Sequence, residues 1–370
     1  MASASQHDQH RAAQHLQHLD IKHQSSIKIR SSRKRQVANA LLKTHQANTS
    51  AASNPSTPTA STPSTGSVRI VCLSDTHNTR PSVPPGDILI HAGDLTENGS
   101  FEEVQSGLRW LSSQPHRHKI FVAGNHDVLF DEAFLEKHPE RRYGQERTKE
   151  DLDWGSVTYL QDSLVTLEMP AAAKGRHSPQ TRGRHAEAAP EDPTDQQPMQ
   201  PQEDVRSVTI FGSPWTPRYG NSAFQYHPGN AQHWEKIWSS LDKKPQIIVT
   251  HGPPHLHLDR RDFHRAGCPY LADEMHRIRP RPRLWVFGHI HASYGREDVT
   301  LDDVQRLYEE VSRGWAGWGG ILRMANMVLW ARVRARREDT KKVVTFVNAA
   351  VVGGPRNELQ NEPITVDCVL

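Results

Sequence analysis

Five short polar segments of the sequence carry side chains of the kinds that bind divalent metal ions. The segments are Ser74-Asp75-Thr76-His77, Gly93-Asp94, Gly124-Asn125-His126-Asp127, Thr250-His251-Gly252 and Gly288-His289-Ile290-His291. Together they offer carboxylates, imidazoles and an amide oxygen, which suit Mn, Fe, Zn or Mg, and none of them offers a thiolate. The set predicts a site for two metal ions.

The spacing inside these segments favours shared coordination. Asp75 and His77 lie two residues apart, so both side chains point to one side of an extended segment. The same holds for His289 and His291. Two metal ions about 3.5–4 Å apart need a carboxylate that bridges them. Asp94, which stands alone after its glycine, is the best candidate for the bridge.

Each polar segment follows an apolar run that predicts a buried β-strand. The runs are 68–73, 87–92, 119–123, 246–249 and 284–287. Apolar residues recur at helical spacing between several of these runs, which predicts an α/β protein. In that fold class ligands gather at the carboxyl ends of strands, so the five ends are expected to meet. Any one segment alone fits an ordinary turn, but the five together favour a functional site.

Composition divides the 370 residues into one folded domain and segments of low complexity. Residues 1–66 are rich in Gln, His, Ser, Thr and Pro, which predicts a disordered tail. The domain is predicted over 67–370, with a disordered insert at 171–206 and a helical insert at 297–340. We interpret 171–206 as an insert between neighbouring strands, because the polar segments on both sides of it are needed for one site.

Charge and cysteine content say little about binding partners and favour an intracellular location. A net charge of +3 is too balanced to indicate nucleic-acid binding, although basic stretches at 28–35 and 332–342 leave it open. The three cysteines form no CxxC pair, which favours an intracellular, cytoplasmic protein. The basic residues 31–35 are a candidate nuclear address, but a solvated patch in a tail explains them better. Protein partners are not indicated.

One Trp-, Leu- and Met-rich helix is predicted over 321–337 and ends in several arginines. No stretch reaches the roughly 18 apolar residues of a membrane span. The helix could lie on a membrane surface or pack on the domain with its basic end at the helix C-terminus. We favour packing on the domain.

The motif set resembles the calcineurin-like metallophosphoesterase superfamily over about residues 68–296, with a further strand near 343–350. The resemblance is closest to the metallophosphoesterase-domain-containing branch and its fungal relatives. Besides the polar segments, it rests on Gly212-Ser213-Pro214-Trp215, on Pro253-Pro254 after Gly252, on Ala292 to Gly295 and on Val347-Asn348-Ala349-Ala350.

The resemblance implies an α/β/β/α sandwich of two mixed sheets flanked by helices. It also implies a ligand set for two divalent metal ions, Mn²⁺ before Fe, Zn or Mg. By that pattern Asp75, His77 and His291 hold one ion, Asn125, His251 and His289 hold the other, and Asp94 bridges them.

The expected function is metal-dependent hydrolysis of a small phosphoester, with phosphodiesters, including cyclic nucleotides, favoured. A bridging hydroxide attacks phosphorus in line, and His126 protonates the leaving group as a general acid. Asp127 is a candidate for orienting His126, and Trp215 and Phe224 are candidates for stacking a base or for the core. Two alternatives stay open: a nuclease of the same fold and a non-catalytic metal-binding interaction module.

Overall fold

Two β-sheets bring the polar segments to one edge of the molecule. The computed structural model describes residues 33–50, 67–170, 205–334 and 343–370. The first sheet consists of β1 (Val68–Leu73), β2 (Ile88–Ala92), β3 (His118–Val122), β4 (Val157–Tyr159) and β17 (Ile364–Cys368). Their order is β17-β1-β2-β3-β4, in which β1 to β4 are parallel and β17 runs antiparallel to β1.

The second sheet is also mixed. It consists of β5 (Ser163–Pro170), β6 (Val205–Ser213), β9 (Ile247–Thr250), β12 (Leu284–Phe287), β13 (Gly295–Thr300) and β14 (Val343–Asn348). In the order β13-β14-β12-β9-β6-β5, the four inner strands are parallel and both edge strands are antiparallel. Three two-stranded pairs join β7 (Thr216–Pro217) to β8 (Gln225–Tyr226), β10 (Arg260–Arg261) to β11 (His264–Arg265), and β15 (Val352–Gly353) to β16 (Glu358–Leu359).

The helices of the described residues cover the outer faces of the two sheets or pack against one another. They are α1 (Arg33–Ser50), α2 (Phe101–Ser112), α3 (Glu132–Lys137), α4 (Gln232–Ser239), α5 (Pro269–Met275), α6 (Asp303–Arg313) and α7 (Trp318–Arg334). Helix α2 begins with a capping box, in which the Ser100 side chain accepts from the Glu103 amide and the Glu103 side chain accepts from the Ser100 amide.

Alternation along the strands builds two apolar layers on each sheet. In β1, Ile70 packs into the core between the sheets, whereas Val71 packs into the core under α2. The outer face of the second sheet is covered by Trp234 of α4 and Leu271 of α5. The four layers confirm the predicted α/β/β/α sandwich.

Residues 33–50 form helix α1, whereas the sequence predicted disorder throughout 1–66. Its buried residues Ala38 and Leu42 pack against α6 and α7, and we call these helices the three-helix unit. Composition averaged over the segment hides this narrow apolar stripe, whose burial depends on partners far along the chain. The other parts of the predicted tail, 1–32 and 51–66, lie outside the described residues.

The two predicted inserts differ in what the structure describes. Residues 171–204 lie outside the described residues, but the strands on either side, β5 and β6, pair along their length from Ser163 opposite Gly212 to Pro170 opposite Val205. Within 297–340, residues 297–300 extend strand β13 and are not helical. Helices α6 and α7 follow, and α7 covers most of the helix predicted over 321–337. Residues 335–342 lie outside the described residues.

Buried Glu309 joins the three-helix unit to the sandwich. Its Oε1 accepts from His257 Nε2 at 3.2 Å, and its Oε2 accepts from His276 Nε2 at 2.9 Å. The other ring nitrogen of His257 lies 2.8 Å from Glu297. Burial lowers the pKa of His257, but hydrogen bonds to Glu297 and Glu309 outweigh burial and raise that pKa to about 9.

Replacing Glu309 with Gln is expected to lower the free energy of unfolding by about 3–5 kcal/mol near pH 6, because its charged partners His257 and Arg313 remain buried. Burial raises the pKa of Glu309, but hydrogen bonds to His257 and His276 outweigh burial and hold this pKa below its ordinary 4.5. The contribution of Glu309 to the free energy of unfolding is therefore lost as pH falls below 4.5. The contribution of His257 is complete below its ordinary pKa of 6.5 and is lost as pH rises towards 9.

Denaturant unfolding of the natural protein between pH 5 and 9 should therefore show stability falling on the alkaline side. Glu310→Gln, on the same helix but facing Arg306, is the matched control and should keep this dependence. A Glu309→Gln variant with an unchanged pH profile would contradict the role of the network.

Candidate metal centre

The predicted ligands lie together at the carboxyl ends of strands from both sheets. Three groups of side chains each have ligand atoms within 4.8 Å of one another. They are Asp75, His77 and His291; His77, Asp94 and His126; and Asp94, His251 and His289. Asp94 and His77 each belong to two of these groups.

The first and third groups flank the Asp94 carboxylate. Its Oδ2 lies 3.7 Å from His77 Nε2 and 3.3 Å from His251 Nε2, so one oxygen faces both groups. Its Oδ1 accepts from the His126 backbone amide at 2.8 Å, which fixes the orientation of the carboxylate. One carboxylate oxygen of Asp94 therefore lies between the two histidines.

Asn125 completes the third group. Its Oδ1 lies 3.0 Å from His251 Nε2. His251 Nδ1 donates to the Ala92 carbonyl at 2.9 Å, so Nε2 is the ring atom that faces the group. The His289 ring lies 5.0 Å from the His251 ring. In the first group His291 Nε2 lies 3.2 Å from Asp75 Oδ1.

The polar atoms of these groups suit cations. His77 Nε2 is buried and has no hydrogen-bond partner among the described residues. Burial lowers the pKa of both His77 and His251. At His77 the carboxylates of Glu97 and Asp94 outweigh burial, and at His251 the carboxylate of Asp94 does, so each pKa is raised to about 9. Such a buried surplus of carboxylate charge, with imidazole nitrogens aimed at it, fits divalent metal ions.

The turns that carry the ligands depart from ordinary backbone geometry. The φ angles of Asp75, His77, Asp94 and His289 are 52°, 42°, 53° and 67°, in the left-handed region that residues other than glycine rarely adopt. The Asp75 carboxylate accepts from the His289 amide at 2.9 Å, which ties the first turn to the last. Strain of this kind persists where the surroundings enforce it, as at functional sites.

Gly288 lets the first and last turns approach each other. A Cβ at this position would lie 1.9 Å from Asp75 Oδ2 and 2.1 Å from Ser74 Oγ. The approach of Asp75 to the His289 turn therefore requires glycine.

Replacing Gly288 with Ala is expected to displace Asp75 and to reduce bound metal by at least about tenfold in affinity. Metal per chain, measured by mass spectrometry after dialysis against Mn²⁺, tests this expectation. Gly317→Ala is the control, because no atom lies within 4 Å of a Cβ there. Full metal binding by the Gly288 variant would show that the close approach is not needed.

His126 has a different partner from the one considered in the sequence. Its Nδ1 donates to the Glu97 carbonyl at 2.7 Å, which leaves Nε2 available for proton transfer. Asp127 does not orient His126; its buried carboxylate accepts from the amides of Thr96 and Gly124 at 2.9 and 2.8 Å. Asp127 therefore holds the loops after β2 and β3 together.

Glu97 is a residue that the sequence pattern did not single out. Its carboxylate lies 3.0 Å from His77 Nδ1 and accepts from Asn357 Nδ2 at 2.9 Å. Burial raises the pKa of Glu97, but His77 outweighs it and lowers that pKa to about 2. The only sequence feature that could have linked Glu97 to the site is its position three residues after Asp94. No sequence feature linked Asn357 to the site.

The aromatic residues predicted near a substrate are mostly part of the core. Phe224 is 1% exposed, so it cannot stack on a base. Trp215 is half-buried, packs on Phe224 and donates from Nε1 to Asp162 at 2.8 Å. The aromatic ring beside the metal groups is Tyr219, 39% exposed and 5.0 Å from the His289 ring.

A short hairpin borders the same edge. Ser293, just after His291, donates to the Arg260 carbonyl of β10 at 2.6 Å. At the hairpin tip Phe263 is 85% exposed, next to exposed Arg261. Tyr219 and this hairpin therefore form an exposed rim beside the candidate metal ligands, where an incoming molecule would contact them.

Comparison with known proteins agrees with this geometry. Residues 68–293 match the family model described as calcineurin-like phosphoesterase. The chain belongs to the calcineurin-like phosphoesterase family. The family binds divalent metal ions, and the His and Asp groups described above fit such ions.

Three relatives illustrate the similarity. Metallophosphoesterase domain-containing protein 1 of Homo sapiens is 36% identical over 248 residues, which cover 62% of this chain and 62% of that protein. A UPF0046 protein of Caenorhabditis elegans is 31% identical over 239 residues, covering 62% and 65%. Probable rhamnogalacturonate lyase C of Emericella nidulans is 38% identical over 300 residues, covering 81% of this chain but 24% of that protein. The chain thus spans less than two thirds of each relative.

Proposed function

We propose that the protein hydrolyses phosphodiesters with the help of two divalent metal ions, Mn²⁺ being the best candidate. One ion would be held by Asp75, His77 and His291, the other by Asn125, His251 and His289, with Asp94 shared. The observation that carries this proposal is the Asp94 carboxylate, whose Oδ2 faces both ligand groups.

When bound, the two ions supply Lewis acidity to a phosphoryl oxygen and make a nucleophile from water at neutral pH. The residues of the chain provide orientation and proton transfer around that chemistry. His126 is aimed by the Glu97 carbonyl, so its Nε2 gives a proton to the departing oxygen. Asp127 keeps the loops that carry Asp94 and His126 in register.

The preference for diesters, with cyclic nucleotides among them, follows from the likeness of the motif set to the metallophosphoesterase-domain-containing relatives. The rim supports a substrate with a group beyond the phosphate, because Tyr219 and exposed Arg261 lie next to the ligand turns. A planar group on Tyr219 would be stabilised by stacking.

The decisive experiment compares substrates and metals on the full chain. Bis-p-nitrophenyl phosphate, p-nitrophenyl phosphate, 3′,5′-cyclic AMP and single-stranded DNA are assayed with Mn²⁺, Mg²⁺, Zn²⁺ or Fe²⁺ after chelation. We expect the small diesters to be hydrolysed faster than the monoester, and only with metal. Faster monoester turnover would make the protein a monoesterase, and faster DNA cleavage would make it a nuclease. Two bound metal equivalents without any hydrolysis would favour the non-catalytic module.

A further inference from the structure

The segment from Val311 to Arg337 combines tryptophan and arginine without a single acidic residue. Its basic residues are Arg313, Arg323, Arg332, Arg334, Arg336 and Arg337, and its tryptophans are Trp315, Trp318 and Trp330. The metallophosphoesterase chemistry uses none of these side chains. Helix α7 occupies most of the segment.

One face of α7 is buried by packing against other helices. Ile321, Met324 and Val328 are no more than 4% exposed and lie in the core of the three-helix unit, against α1 and α6. The sequence predicted that this helix packs on the domain, and this packing accounts for one side of the helix only.

A second face of α7, about 110° around the helix from the packed one, is apolar and open. Trp318, Leu322 and Leu329 are 50%, 71% and 60% exposed. At roughly 100° per residue these three side chains fall within about 40° of one another, so they form one stripe along the helix. Trp330, 55% exposed, lies about 100° further around α7, and Trp315, 49% exposed, lies in the turn before the helix. We call these five residues the outer face of α7.

Exposed large apolar side chains are concentrated on the outer face. It holds five of the ten large apolar side chains that are exposed in the described ranges. Contiguous exposed apolar side chains of this kind mark an interaction surface. Arg323, also exposed, lies about 20° around the helix from Trp330, so the surface is both apolar and positive.

We propose that the outer face of α7 binds the surface of an anionic membrane, with the helix lying flat in the headgroup region. Tryptophan and leucine insert favourably at that depth, and arginine binds lipid phosphates while its stem stays in the apolar layer. None of the helices in the described part of the chain has the length and hydropathy of a membrane span, so contact is limited to the interface.

Charge favours a membrane over a second copy of the chain. A two-fold dimer through this face would bring two surfaces of the same sign together, because Arg323 is exposed on each copy and α7 has no acidic side chain to compensate. A membrane containing phosphatidylserine supplies the opposite charge across its whole surface.

Vesicle co-sedimentation of the full chain tests the proposal. The vesicles contain phosphatidylcholine alone or phosphatidylcholine and phosphatidylserine at three to one. We expect binding to the mixed vesicles to exceed binding to neutral vesicles, and to weaken with salt. Leu322→Asp is expected to reduce binding at least about tenfold, because it places a carboxylate in the middle of the stripe.

Val369→Asp is the matched control, since Val369 is 67% exposed but follows β17 of the first sheet and is not part of α7. It should bind vesicles like the natural protein. Trp318→Ser is a second variant in case Leu322→Asp lowers helix content by circular dichroism. Absence of vesicle binding, or binding unchanged in both stripe variants, would overturn the proposal. So would a dimer by light scattering that Leu322→Asp dissociates, which would assign the face to a second copy.

Discussion

Asp94→Asn is expected to lower metal-dependent phosphoester hydrolysis by on the order of 10⁴-fold, the scale seen when an essential catalytic group is removed. The Asp94 Oδ2 lies within 4 Å of imidazole nitrogens from both ligand groups, at 3.7 Å from His77 and 3.3 Å from His251. An amide has no charge to share between two cations, and its NH₂ group would face one of them. Loss of at least one metal equivalent per chain should accompany loss of activity.

The control for this variant is Asp302→Asn. Asp302 caps helix α6 by accepting from the Val304 and Gln305 amides, and Asn caps a helix about as well as Asp. Its activity should therefore match that of the natural protein. An Asp94 variant that keeps both metal equivalents and most of its activity would remove the shared carboxylate from the proposed site.

His126→Ala is expected to act selectively on substrates with poor leaving groups. Nitrophenolate departs without a proton, so hydrolysis of bis-p-nitrophenyl phosphate should fall only slightly. An alkoxide needs a proton as it leaves, so hydrolysis of an alkyl diester such as 3′,5′-cyclic AMP should fall by about 10²–10⁴-fold. The structure gives His126 a fixed direction for this transfer, because the Glu97 carbonyl accepts from Nδ1 at 2.7 Å.

Comparing kcat/KM for the two substrates separates this role from a structural one. His227→Ala removes an exposed imidazole elsewhere and should change neither value. An equal loss on both substrates would argue that the His126 side chain acts only by holding the loop at Glu97, whose carbonyl accepts from Nδ1.

The sequence predicted the α/β class and the position of the site because their signals are local, whereas the two-sheet sandwich was implied by the family resemblance. An apolar run followed by a polar turn, such as Leu284–Phe287 before Gly288, specifies both a strand and the edge at which its ligands lie. Parallel pairing then brings several such turns together, and the structure places all seven predicted ligands within one region. Their roles in metal binding stay a prediction that the Asp94 and Gly288 variants test.

The features that the sequence did not predict depend on distant partners. Helix α1 has a buried stripe only because α6 and α7 cover it, and the tail composition gave no sign of that. The contact of Glu97 with Asn357 joins residues at opposite ends of the folded chain. Phe224 was a candidate for substrate stacking, but tertiary packing buries it. No period or motif in a single segment encodes such contacts.

The candidate ligands are divided between the two sheets, and this division links metal affinity to the integrity of the sandwich. Asp75, His77, Asp94 and Asn125 follow strands of the first sheet, whereas His251, His289 and His291 follow strands of the second. Each proposed ion therefore takes ligands from both halves of the molecule, and sliding of one sheet over the other would dismantle both binding sites. By thermodynamic linkage, any cation held there resists that sliding and raises the free energy of unfolding of the whole sandwich.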